Sequence, residues 1–90
     1  MIFEWDENKN EVNKRKHGIS FETASHVFDD EDMVELFDSF HSSSEEERFL
    51  AIGMVEGILT VVFTERGENK RLISARKANA KEKEIYYGNC

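Results

Sequence analysis

The spacing of apolar positions changes along the chain and divides it into elements. Ile2, Phe3 and Trp5 read as a short opening strand, and Asp6 is placed to cap a helix with its carboxylate. That helix runs to His17 and stops at Gly18, the residue type that takes the left-handed conformation past a helix end at least cost. Val12 is its only aliphatic residue, so neighbours such as Trp5 and Phe21 have to hold it, and most of its surface is left to solvent or a partner. Ser20 caps a second short helix, with Ile19 and Ala24 as a small staple and Phe21, Ala24, Val27 and Phe28 at helical intervals. The acidic run from Asp29 to Asp32 ends it, Met33 to Phe37 reads as a strand, and Asp38 to Glu47 as a polar loop.

From Arg48 the period is two. Phe49, Ala51 and Gly53 alternate with Leu50, Ile52 and Met54, Glu56-Gly57 makes a turn, and Ile58 to Thr64 is a β-prone run apolar enough to be buried on both faces. Arg66-Gly67 makes another turn, Arg71 to Arg76 a further strand, and Asn79 with Glu82 spells a capping box for a last helix through Tyr87. The expected architecture is an α+β domain: an antiparallel sheet of four to five strands, with two N-terminal helices and one C-terminal helix packed on one face.

Composition agrees with a small folded unit. Ninety residues with 39% apolar content, seven Phe and one Trp support one core and no more, so residues 1–90 are expected to form a single domain. Cys90 has no partner in the chain, which excludes a disulfide scaffold and cysteine-based metal sites. No run reaches the roughly 18 to 20 apolar residues that span a bilayer, and Met1 to Glu7 lacks the features of a signal segment, so a cytoplasmic location and no membrane partner are expected. The net charge of −7 argues against a polyanionic partner until its distribution is considered. Residues 1–47 hold 14 acidic residues against four basic ones, whereas residues 48–90 hold five against eight. The run Lys14, Arg15, Lys16, His17 and the C-terminal half can therefore assemble a basic surface.

No phosphate-cradling glycine loop, metal-spaced histidine pair or nucleophile elbow occurs, so nucleotide hydrolases, zinc enzymes and serine hydrolases fit poorly, and no cofactor is expected. What remains is a set of bases: Lys16 and His17 at a helix end, Arg48 opening a strand, Arg66 in a turn, Arg76 and Lys77 closing the last strand, and Lys83 with Tyr86 on the final helix. That set suits RNA cleavage, in which a ribose 2′-hydroxyl attacks its neighbouring phosphate, because the substrate brings the nucleophile and the protein need only move protons and stabilise charge. Each residue also has an ordinary explanation. Cations at a helix C-terminus answer the macrodipole, His17 before Gly18 can cap, Arg76 can be an ion-paired surface residue, and Tyr86 can be core. His26 fits a structural role, and His41 in its polar loop has none assigned.

Taken together, FEWDENK at 3–9, Asn13, KHGISFE at 16–22, Ala24, VFDD at 27–30, HS at 41–42, ERF at 47–49, Gly53, VVFTERG at 61–67 and RLISARKA at 71–78 resemble the BrnT toxin family over nearly the whole chain. The resemblance implies a RelE-like fold, ribonuclease activity that blocks translation, and a ribbon-helix-helix antitoxin of the BrnA type bound in a hetero-oligomer. Its matching positions are Lys16, His17, Arg48, Arg66, Arg76 and Tyr86; with the chemistry above, His17 is the candidate for proton transfer and Arg48 and Arg76 for stabilising the phosphorane, while Lys16, Arg66, Lys77, Lys83 and Tyr86 are the expected RNA contacts. Asn79 stands where Thr is commoner in the family and keeps the ability to cap. The reading from another functional class is a toxin that has lost catalysis and survives as an antitoxin-binding module.

Overall fold

The computed structural model describes residues 1–90. Its helices begin where local signals place them. Asp6 accepts hydrogen bonds from the backbone of Asn8 and Lys9 and starts α1 (Glu7–His17), which Gly18 closes at a φ of 72°. Ser20 caps α2 (Phe21–Ser25), which tightens into a 3-10 turn over His26–Asp29. Asn79 and Glu82 complete a reciprocal capping box at the start of α3 (Ala80–Asn89). The strands are β1 (Ile2–Glu4), β2 (Val34–Phe37), β3 (Arg48–Met54), β4 (Ile58–Arg66) and β5 (Asn69–Lys77).

The five strands form one sheet in the order β1-β5-β4-β3-β2. From β2 to β5 it is the expected antiparallel meander. The first strand departs from expectation: Ile2 to Glu4 pair in parallel with Asn69 to Arg71, so the sheet is mixed. A parallel neighbour needs a long connection, and everything from α1 to β4 supplies it. The register of β4 against β5 slips between Phe63, opposite Leu72, and Val62, opposite Ser74, which leaves Ile73 as the extra residue of a bulge.

The helices do not share a face. Phe21, Ala24 and Val27 pack with Ala51, Leu59, Val61, Phe63, Leu72 and Ala75 in one cluster, while Tyr86 of α3 packs with Ile52, Ile58 and Ala78 in a second. Because Leu59 and Val61 alternate with Ile58 and Thr60 along β4, the two clusters lie on opposite sides of the sheet. Close approach on the first side is tight at Gly53, where a Cβ would come within 2.8 Å of the Val27 side chain.

Val12, the one aliphatic residue of α1, is exposed; buried Asn10 and Asn13 hold this helix instead. Asn10 accepts the backbone N–H of Phe21 and donates to Glu7 and Glu22. The Asn13 carboxamide donates to the carbonyls of Ile19 and Ala75 and accepts the Ala75 N–H. Beyond the three residues paired by β1, it thus takes the place of a neighbouring strand on the edge of β5.

Candidate active site

Strand register builds the site on the α3 side. Leu50, Val62 and Ser74 stand in one row across β3, β4 and β5; Arg48 beside Thr64 occupies the next row on one side, and Ile52, Thr60 and Arg76 the next on the other. Thr60 and Ile52 are fully buried beneath α3, whereas the Leu50–Val62–Ser74 row is only half-buried. This row floors a pocket of about 320 Å³ whose walls include Arg48, Arg76, Asp38 and His41, with Ile73 of the bulge at its border. Two guanidinium groups thus flank an apolar floor, with a histidine–carboxylate pair beside them.

The pair is held by a tightly bonded loop. Asp38 approaches His41 Nδ1 at 2.9 Å and accepts the His41 backbone N–H with its other oxygen. Ser42 Oγ donates to the Asp38 carbonyl and accepts the Arg48 N–H, and the Asp38 N–H donates to the Arg48 carbonyl, so the loop closes directly onto the start of β3. With Nδ1 engaged by a carboxylate, the Nε2 edge of the imidazole is left to meet a ligand. Arg48 is steered from its own chain, its Nε donating to Glu46 at 3.1 Å.

Arg76 is gripped differently. Its Nη1 and Nη2 donate to the two oxygens of Glu82 at 2.7 and 2.8 Å. Glu82 also accepts from Thr60 Oγ1 and from the Asn79 backbone, both at 2.9 Å. Burial pushes the Glu82 carboxyl upward, but the bonds from Arg76, Asn79 and Thr60 outweigh it and hold the group below its ordinary 4.5. The Glu82 bond raises the Arg76 pKa further, so both groups stay charged.

The other residues expected from the sequence are distributed more widely. Lys16 and His17 line a groove of about 290 Å³ between α1 and β5, separate from the two arginines but meeting their pocket at Ile73 and Ser74. Arg66 borders a depression of about 480 Å³ lined by Glu45, Glu46, Glu47 and Glu65, whose charge repels phosphate; the largest concavity is therefore not the anion site. Lys77 and Lys83 border a further depression near the Glu56–Gly57 turn.

Tyr86 requires a correction, because it is a core residue and not a surface contact: it is 4% exposed and its hydroxyl donates to Asp30. That bond, followed by burial, drives the phenol pKa well up, and Asp30 in turn accepts the backbone N–H groups of Met54 and Asp32. His41 is the site candidate that sequence reasoning left without a role. The available signal was Asp38 three residues earlier in a polar loop, together with the HS string that opens on His41.

Compared with known families, residues 5–82 match a profile described as "Ribonuclease toxin, BrnT, of type II toxin-antitoxin system". The chain belongs to the BrnT toxin family. A 1.1 Å crystal structure of the Brucella abortus ribonuclease toxin BrnT superposes on this BrnT-family chain with a TM-score of 0.61 and 27% identity, covering 88% of this chain and 99% of the other. Comparison with curated proteins gave no match. This BrnT-family chain is thus of a ribonuclease toxin type, and membership of a type II toxin-antitoxin family implies an antitoxin partner. None of its helices is long and apolar enough to cross a membrane.

Proposed function

We propose that the chain cleaves RNA without a metal, in the pocket floored by Leu50, Val62 and Ser74, and so blocks translation. The supporting observation is that Arg48, Arg76 and the Asp38–His41 pair line this one pocket. In the step we infer, a ribose 2′-oxygen attacks the adjacent phosphorus and the bond to the 5′-oxygen breaks, leaving a 2′,3′-cyclic phosphate and a free 5′-hydroxyl. One group takes the 2′-proton and one delivers a proton to the departing oxygen. His41, oriented through Asp38, takes the proton-transfer role in place of His17, which lines the neighbouring groove. Arg48 and Arg76 stabilise the charge of the phosphorane, a task that fixed cations perform well on a half-buried apolar floor. Lys16 and His17 extend the cationic surface along the strand from the scissile phosphate, whereas the surroundings of Arg66 and the position of Lys77 and Lys83 make them secondary contacts. A BrnA-type ribbon-helix-helix antitoxin is the proposed partner, covering the pocket and competing with RNA.

The test is cleavage of a defined RNA by purified protein in excess EDTA, alongside growth on induced expression. Cleavage that depends on added magnesium would overturn the mechanism. The second reading, an antitoxin-binding module without catalysis, draws on the net charge of −7, which opposes binding of a polyanion. It predicts no growth arrest for wild type and none to relieve in Arg48→Ala or Arg76→Lys.

A further inference from the structure

The carboxylate of Glu82 lies outside the pocket wall and yet uses both oxygens on one guanidinium that lines it. A capping box requires a single acceptor for the Asn79 N–H, and Oε1 supplies it. Oε2 has no partner other than Arg76, so helix capping does not account for the second half of the carboxylate. The direction of control follows from what fixes each group. Glu82 is 7% exposed, lies in the first turn of α3 and is tied to Asn79 and Thr60 independently of Arg76. Arg76 has a long flexible stem, is partly exposed, and has Glu82 as its ion-pair partner. The end-on fork fixes the plane of the guanidinium and leaves its remaining N–H groups for the pocket.

We propose that Glu82 is the positioning residue of the site: anchored by Thr60 and the first turn of α3, it holds the Arg76 guanidinium in the orientation that meets the phosphate. This rests on reading the pocket as the RNA-cleaving site, and it makes the docking of α3 a condition for an ordered arginine in the pocket. Ordering a flexible side chain before the reaction removes a cost that would otherwise fall on the transition state.

Glu82→Gln tests it, since the amide oxygen can still accept from Asn79 and Thr60 while its NH₂ cannot pair with the guanidinium fork. The expected result is a fall of about tenfold or more in cleavage rate at saturating RNA with KM changed less than about threefold, the pattern of a lost transition-state interaction. In an Arg76→Ala background the same substitution should change the rate by less than about twofold, because its effect passes through the arginine. An equal loss in both backgrounds, an unchanged rate, or a gain showing that Glu82 competes with phosphate for Arg76, would each overturn the proposal. Nitrogen-15 NMR of the Arg76 guanidinium reads the clamp directly: separate, slowly exchanging Nη signals in wild type should merge in Glu82→Gln, and merged signals already in wild type would refute it. If wild type and Arg76→Ala behave alike towards RNA, the functional reading fails, while the NMR result still decides whether the clamp exists.

Discussion

Against α1 and α2 the sheet presents Ala51, Leu59, Val61, Phe63, Leu72 and Ala75, none more than 5% exposed; on the other side it presents Ile52 and Ile58 under α3, then Thr60, Arg76, Leu50, Val62, Ser74 and Arg48. The same strands build both faces, and alternation along them separates apolar packing from charge. Each face also buries polar groups, satisfied in different ways. On the first, Asn10 and Asn13 complete backbone hydrogen bonds and carry no charge. On the second, Glu82 binds a cation that reaches an open pocket. Two helices over one face and a single helix over part of the other thus leave room for a site without hollowing the core. Substitutions on the two faces should therefore separate stability from activity.

The largest effect is expected at the centre of the closed face. Phe63 is fully buried, stacks with Phe49 at 5.6 Å and meets Phe28 edge-on at 5.1 Å. Phe63→Ala should cost about 3–5 kcal/mol, read as a lower denaturant midpoint, with activity lost only as the protein unfolds. On the open face Arg48→Ala should reverse the pattern, lowering cleavage by about 10²–10³-fold, the usual scale for removing a charge-stabilising donor. Its half-exposed pair with Glu46 contributes little, so stability should shift by less than about 1 kcal/mol. A stability loss comparable to Phe63→Ala would show that the two faces are not separable. Asn13→Ala is the intermediate case: it leaves the N–H and C=O of Ala75 and the C=O of Ile19 without their partner, at about 1–3 kcal/mol, and urea unfolding should report it while cleavage per folded molecule stays unchanged.

These contrasts also explain what could be read from the chain. Asp6, Gly18, Ser20 and the Asn79–Glu82 box act on neighbours a few residues away, so their chemistry is local and legible. The alternation through β3 to β5 was legible for the same reason, and short turns then dictated antiparallel pairing. The parallel pairing of β1, the strand-like role of Asn13 62 residues from Ala75, and the placement of α3 on the second face depend on distant partners and leave no periodic trace. At the site, Arg48 and Arg76 were legible as strand-flanking cations, and register brings both to one pocket. His41 was obscured because a histidine in a polar loop acquires meaning only when the Ser42 bonds fold that loop onto β3. Tyr86 misled because a phenol three residues after Lys83 on an α-helix looks like a nucleic-acid contact until its hydroxyl is found on Asp30.

The smallest effect concerns acid, and it distinguishes the two ways of burying polarity. Burial pushes both Glu82 and Asp30 upward, but hydrogen bonds win: Arg76, Asn79 and Thr60 hold Glu82 below its ordinary 4.5, and Tyr86, Met54 and Asp32 hold Asp30 below its ordinary 3.8. A carboxyl whose pKa is lowered on folding contributes stability that is present above its unfolded value and is lost as pH falls through the folded one. Wild type should therefore hold its thermal midpoint down to about pH 4.5 as far as these two groups are concerned, and lose it progressively below. Glu82→Gln should flatten the first part of that decline and Asp30→Asn the part beginning near 3.8. Asn13→Ala should run below the wild-type curve but parallel to it, because a carboxamide takes up no proton in this range. Glu7, lowered by bonds from Asn10 and Trp5, lies at the surface, where salt screens its share. Thermal midpoints at fixed high ionic strength over pH 2.5–6 are the measurement. A curve for Glu82→Gln as steep as wild type between 4.5 and 3.8 would mean that the carboxylate is not held ionised by Arg76, and the open face would then owe its acid sensitivity to Asp30 alone.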